Sequence, residues 1–195
     1  MSNLPVIPLS TWAKGKSDEE VSDFLKSFSC KKNKEVQWFL RKLSMRFARL
    51  NISATHLVLS EDFERIVAYY TLVCKPLSVM ADELEDDSRK SLEEFCRLNE
   101  QRQCYDFSAY LIAQLGRNYA QDLTETISGD ELMDVILDHL RRMRINLGGN
   151  VAFVEYERGN AKLLEYYTRN GFVSMHSQSD SGENDKLAQL FRFID

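Results

Sequence analysis

An apolar run, "AYLIAQLGRN" at 109–118, leads through a polar loop into "SGDELMDVILDHL", and that junction holds residue types that could bind an anion. "SGDE" reads as a capping box, in which the Ser128 hydroxyl accepts from the amide of Glu131 and the Glu131 carboxylate accepts from the amide of Ser128. The amides just upstream, and those of Gly129 and Asp130, still need acceptors at a helix end that carries about half a positive charge. A pyrophosphate suits such an end, and Gly129 lets a phosphate oxygen approach without a Cβ in the way. The same four residues are also an ordinary structural device, because many strand-loop-helix units begin in this way.

The elements that must position this junction follow from periodicity. Val21, Phe24, Leu25 and Phe28 lie at helical spacing, and Val36, Phe39, Leu40, Leu43 and Phe47 form the stripe of a second helix. "THLVLS" and "RIVAYYTLVCK" predict a hairpin with strands at about 55–60 and 65–74. The stretch 76–106 is acidic and then sparsely apolar, and reads as a helical insertion. A strand at 108–116 then feeds an amphipathic helix through Leu132, Val135, Ile136, Leu140 and Met143. Acids lie at its start and Arg141, Arg142 and Arg144 at its end, as the helix dipole favours, and Gly148-Gly149 stops it. "NVAFVEYE" is a strand, "NAKLLEYYTRN" a helix closed by Gly171, and "FVSMH" a strand. The polar turn "SQSDSGEND" then precedes a last strand, "KLAQLFRFI". The whole reads as one α/β (α+β) domain over 1–195, without repeats or an internal linker.

Composition excludes several classes of function. With 44% hydrophobic residues, 3 Pro and 8 Gly among 195 residues, the chain describes a packed globule. It contains no apolar run long enough for a membrane span, and "MSNLPVIPLSTW" lacks a signal-peptide pattern, so a cytoplasmic protein is expected. Cys30, Cys74, Cys96 and Cys104 show no CxxC spacing, and His56, His139 and His176 are scattered, so neither disulfides nor a metal site is expected. The GxSxG elbow of serine hydrolases is missing. A net charge of -5 opposes general nucleic-acid coating, yet "CKKNKEVQWFLRKLSMRFAR" is basic and "ADELEDD" acidic.

"NAKLLEYYTRNGF" resembles the penultimate motif of the GNAT acyltransferase superfamily, in Asn160, Tyr167, Gly171 and Phe172. The order of elements is similar from Thr55 to the C-terminus. The front end, "SFSCKKNKEVQWFLRKLSMRF" followed by "THLVL" and "IVAYYTL", resembles the bacterial branch that includes aminoacyl-tRNA-acetylating toxins. The resemblance implies a largely antiparallel central sheet flanked by helices, acetyl-CoA as cosubstrate, and transfer of its acetyl group to a primary amine.

Carried over, the resemblance places Leu115, Gly116 and Arg117 beside the pantetheine arm, and Ile127, Ser128, Gly129 and Asp130 at the pyrophosphate. It puts Asn160 against the cofactor and the Tyr167 hydroxyl at the thioester sulfur. Tyr167, with an ordinary pKa of about 10, would serve as general acid for the departing thiolate. The alternative is a packing residue, since Tyr156 and Tyr166 are aromatic too. The phosphate loop departs from the superfamily pattern: Thr124 and Ile127 stand at earlier signature positions, and only Gly129 is kept. Arg117 and Arg144 could supply charge that the loop lacks.

No side chain stands out as a base. Glu155 is the first candidate, Glu157 and Asp106 being others, while Cys104 lacks a nearby histidine to activate it as a nucleophile. For charged tRNA as acceptor, Lys31, Lys32, Lys34, Arg41, Lys42, Arg46 and Arg49 would form a phosphate-binding face, widened if the chain forms a homodimer. A small-molecule or peptide amine is the competing acceptor, and a non-catalytic coenzyme A-binding protein the competing class.

Overall fold

The computed structural model describes residues 4–174 and 186–194. The expected turn "SQSDSGEND", His176 and the end of "FVSMH" lie outside the described residues. The chain divides into two compact units, Met1–Val73 with Ile112–His139, and Cys74–Leu111 with Leu140–Asp195. Among the described residues, eight strands, β1 (Val6–Pro8), β2 (Ala54–Leu59), β3 (Ile66–Met80), β4 (Leu98–Asn99), β5 (Cys104–Arg117), β6 (Val151–Glu157), β7 (Val173–Ser174) and β8 (Leu187–Phe193), hydrogen-bond in the order β1-β2-β3-β5-β6-β8-β7, with β4 on β5. Of the registers resolved, only β5 with β6 is parallel, and the others are antiparallel. This mixed α/β arrangement is the fold class expected from the sequence.

The first unit opens with β1 (Val6–Pro8) and α1 (Leu9–Trp12). The helices α2 (Asp18–Lys26), α3 (Lys34–Lys42) and α4 (Ser44–Arg49) follow. Ser17 and Glu20 form a capping box at α2, and the Asn33 carboxamide oxygen caps α3. The expected second helix is therefore two. Leu43 falls between them, and the buried Ser44 hydroxyl donates to the Leu40 carbonyl at 2.6 Å, a local bond that competes with the helix ladder. Strands β2 (Ala54–Leu59) and β3 (Ile66–Met80) form the expected hairpin. Phe28, Leu40, Leu57, Leu59, Ile66 and Tyr69 are fully buried in this unit's core.

The insertion is shorter than the sequence suggested, because β3 runs through Pro76 to Met80. Its register with β2 ends at Leu72, so on the β2 side no ladder bond is lost to proline's missing donor. A 3-10 turn (Ala81–Glu83), α5 (Asp86–Glu93) and β4 (Leu98–Asn99) then lead into β5 (Cys104–Arg117). Asp86 and Asp87 open α5, where its dipole favours them.

Helix α6 (Gly129–Leu147) ends at Gly148 and Gly149, whose φ values of 70° and 98° suit only glycine well. The Tyr110 hydroxyl donates to the Gly148 carbonyl. The second unit continues through β6 (Val151–Glu157), α7 (Ala161–Arg169), β7 (Val173–Ser174) and β8 (Leu187–Phe193). No helix among the described residues is long and apolar enough to cross a membrane.

Candidate active site

In the first unit the capping box forms as the sequence requires. The Ser128 amide donates to the Glu131 carboxylate at 2.7 Å, and the Glu131 amide donates to the Ser128 hydroxyl at 3.1 Å. These bonds hold the Glu131 carboxyl below its usual pKa. Ile127 is buried just ahead of the box, while Ser128 and Asp130 are exposed and Gly129 half-buried.

Leu115, Gly116 and Arg117 close β5. The Arg117 guanidinium donates to the Ile127 carbonyl at 3.0 Å and to the Tyr119 hydroxyl at 2.8 Å, tying the two ends of the loop together. Asn118, unnoticed in the sequence, anchors the loop's start. Its carboxamide accepts from the amides of Ser29 and Ala120 and donates to the Ile66 carbonyl at 2.7 Å. An asparagine after a strand carries no signal of such a role, because its partners lie in distant segments. Gly116 has a packing reason of its own: a Cβ there would stand 2.4 Å from Cγ1 of Val36 on α3.

The loop's carboxylates are engaged by the segment that joins β2 to β3. Asp122 pairs with Arg65 at 2.6 Å, and Glu125 accepts from the Glu61 amide at 3.1 Å. The expected basic face is smaller than the sequence suggested. Arg41 donates to the Phe28 and Lys26 carbonyls, and Arg49 pairs with Asp18, so both are structural.

In the second unit, Asn160 caps α7, its carboxamide oxygen accepting from the Leu163 amide at 3.2 Å. Tyr167 is 5% exposed, its ring packed by Tyr156, Tyr166 and Phe172. Among the described residues its hydroxyl has no hydrogen-bond partner. Burial pushes its pKa up to about 12, above the ordinary value assumed from sequence. Glu155 sits opposite Gln189 in the β6–β8 register and accepts from its side-chain amide at 3.0 Å. Tyr156 touches Tyr167, and successive strand residues point to opposite faces, so Glu155 leaves β6 on the face away from Tyr167. Arg144, in the last turn of α6, donates to the Ile194 carbonyl and supplies no charge at that helix's start. Among the described residues no His/Cys/Asp/Glu cluster could hold a metal ion.

No protein-family model matches the sequence, and no curated protein matches it. Solved structures do match. AtaT complexed with acetyl-methionyl-tRNAfMet aligns with a TM-score of 0.64 at 17% identity, over 97% of this chain and 94% of that one. The fold is that of AtaT. AtaTR bound with acetyl-CoA gives 0.61 at 19% identity, over 100% and 95% of the two chains. A tyrosine-to-phenylalanine mutant of KacT gives 0.62 at 18% identity, over 98% and 95%. The AtaT-like fold thus spans the whole chain, including the front end that the superfamily motif leaves out, and it bears out the fold that the resemblance implied.

Proposed function

We propose that this chain transfers the acetyl group of acetyl-CoA to a primary amine, and that the amine is the α-amine of an aminoacyl-tRNA. Tyr167 carries the reading. A hydroxyl with no partner among the described residues, on a ring held by three aromatic neighbours, stays protonated at neutral pH and can donate to a sulfur leaving as thiolate. Within the first unit, a pyrophosphate fits the start of α6, where the capping box is formed, Arg117 braces the loop and the loop's carboxylates are engaged elsewhere.

In the reaction the neutral amine attacks the thioester carbonyl, a C–N bond forms, the C–S bond breaks and the Tyr167 proton passes to sulfur. The amine's surplus proton goes to water, and water returns a proton to the Tyr167 oxygen, which restores the acid for the next turnover. An aminoacyl ester's α-amine has a low pKa and is largely neutral without help, which suits a chain whose Glu155 leaves its strand away from Tyr167. That AtaT is found with acetyl-CoA and with acetyl-methionyl-tRNAfMet supports both halves of the reading.

The test is incubation with acetyl-CoA and a panel of acceptors, comprising charged tRNA, a peptide N-terminus and small amines, with free thiol and acetylated product measured. Acetylated aminoacyl-tRNA is the expected product. Thiol release with peptide or small amines alone would remove the tRNA assignment. Tight acetyl-CoA binding with no thiol release on any acceptor would leave a binding protein instead of an enzyme.

A further inference from the structure

We propose that Lys32, Tyr119 and Arg117 form a phosphate-ester subsite at the entrance to the loop between β5 and α6. The proposal rests on the acetyl-CoA reading only for the source of that phosphate.

Two cations share one aromatic ring. The Lys32 Nζ stands 4.9 Å from the Tyr119 ring centroid and the Arg117 Cζ stands 5.3 Å from it. Each is attracted by the ring, but the two like charges repel one another, and a bound anion offsets that repulsion. Neither pairs with a carboxylate among the described residues. The two carboxylates of the loop are committed to Arg65 and to the Glu61 amide, so the loop offers neither cation a neutralising partner of its own.

The cluster is also held in place. The Tyr119 amide donates to the Ser29 carbonyl at 2.7 Å, and Arg117 fixes the ring's hydroxyl at 2.8 Å. Arg117 spends two of its N–H groups on Ile127 and Tyr119 and keeps the rest of its donor fork, while Lys32 is exposed in the turn before α3. A fork and an ammonium group together match a tetrahedral anion with several acceptor oxygens. The phosphate is either the 3′-phosphate of acetyl-CoA or a backbone phosphate of the acceptor.

Calorimetry with acetyl-CoA and acetyl-dephospho-CoA, on the wild-type chain and on Lys32→Gln, separates the two sources. Lys32 is exposed, so the substitution leaves the fold intact. A preference of about tenfold for acetyl-CoA, lost in Lys32→Gln, is the expected result and assigns the subsite to the 3′-phosphate. Equal binding of both thioesters, with KM for charged tRNA raised about tenfold in Lys32→Gln, assigns it to the acceptor. If the wild type binds no acetyl-CoA, the proposed function fails, and inorganic pyrophosphate titrated into both proteins decides the subsite alone. Lys32→Gln behaving as wild type towards every probe overturns the proposal.

Discussion

Burial of Tyr167 among Tyr156, Tyr166 and Phe172 has two separable consequences for activity. Tyr167→Phe removes one oxygen and leaves the ring packing, so kcat should fall about 100-fold with KM for acetyl-CoA unchanged. Tyr166→Phe should do much less, and equal losses from both would make Tyr167 a packing residue. Because its pKa is raised to about 12, the protonated form persists through the alkaline range. The kcat–pH profile should therefore show no alkaline limb below a pH of about 11. His56 obeys the opposite logic. Burial first, and then the charge of His139, lower its pKa to about 4, and its ring stacks on Tyr70 with centroids 5.0 Å apart. Unfolded, it titrates near the ordinary histidine value of about 6.5, so in acid the unfolded chain binds the extra proton first. Its contribution is complete above pH 6.5 and is lost as the pH falls towards 4, by about 3 kcal/mol. His56→Phe keeps the stack and should flatten Tm against pH over that window; an unchanged acid slope would place the sensitivity elsewhere.

Gly116 shows how an element can claim a residue that a motif also claims. As the last-but-one residue of β5 it stands beside the proposed cosubstrate site, yet Val36 of α3 occupies the space a side chain would need. Gly116→Ala should destabilise the protein by about 1–3 kcal/mol in denaturant unfolding, and adding Val36→Ala should recover part of that loss. If the single variant is as stable as wild type but binds acetyl-CoA poorly, the cosubstrate is what the glycine serves. That α3 reaches β5 is not written in either segment, because periodicity reports which face of an element is apolar and not what covers it. Where periodicity is strong and caps are local, the sequence was legible: α6 with its Ser128–Glu131 box and the Gly148-Gly149 stop stand as read. The short β1 and α1 were missed because "VIPLSTW" offers no full period and holds a proline. At the site, residue types were legible and their commitments were not. Arg117 and Asn160 look free in sequence, and the structure shows one bracing a loop and the other capping a helix.

At the scale of the whole molecule, a net charge of -5 opposes binding to a polyanion, so any such binding must rest on a local concentration of unspent cations. With Arg41 and Arg49 committed to structure, what remains on α3 is an exposed stripe, Lys34, Trp38 and Lys42, spaced by four residues and therefore on one face. Trp38 is 54% exposed, an aromatic surface between two ammonium groups that suits an unpaired base flanked by phosphates. Each phosphate contact releases counterions, so transfer to charged tRNA should weaken steeply between about 50 and 200 mM salt, and transfer to a small amine should not. Lys34→Glu with Lys42→Glu should slow transfer to tRNA and reduce the salt slope by about 1 for each lysine, leaving any small-amine activity intact. Charge reversal at Arg41 would not sharpen this comparison, because losing its bonds to the Phe28 and Lys26 carbonyls unsettles the α2–α3 connection whatever the acceptor. An unchanged salt slope in the double lysine variant, with transfer to tRNA retained, would move the nucleic-acid face away from α3 and onto cations elsewhere in the chain.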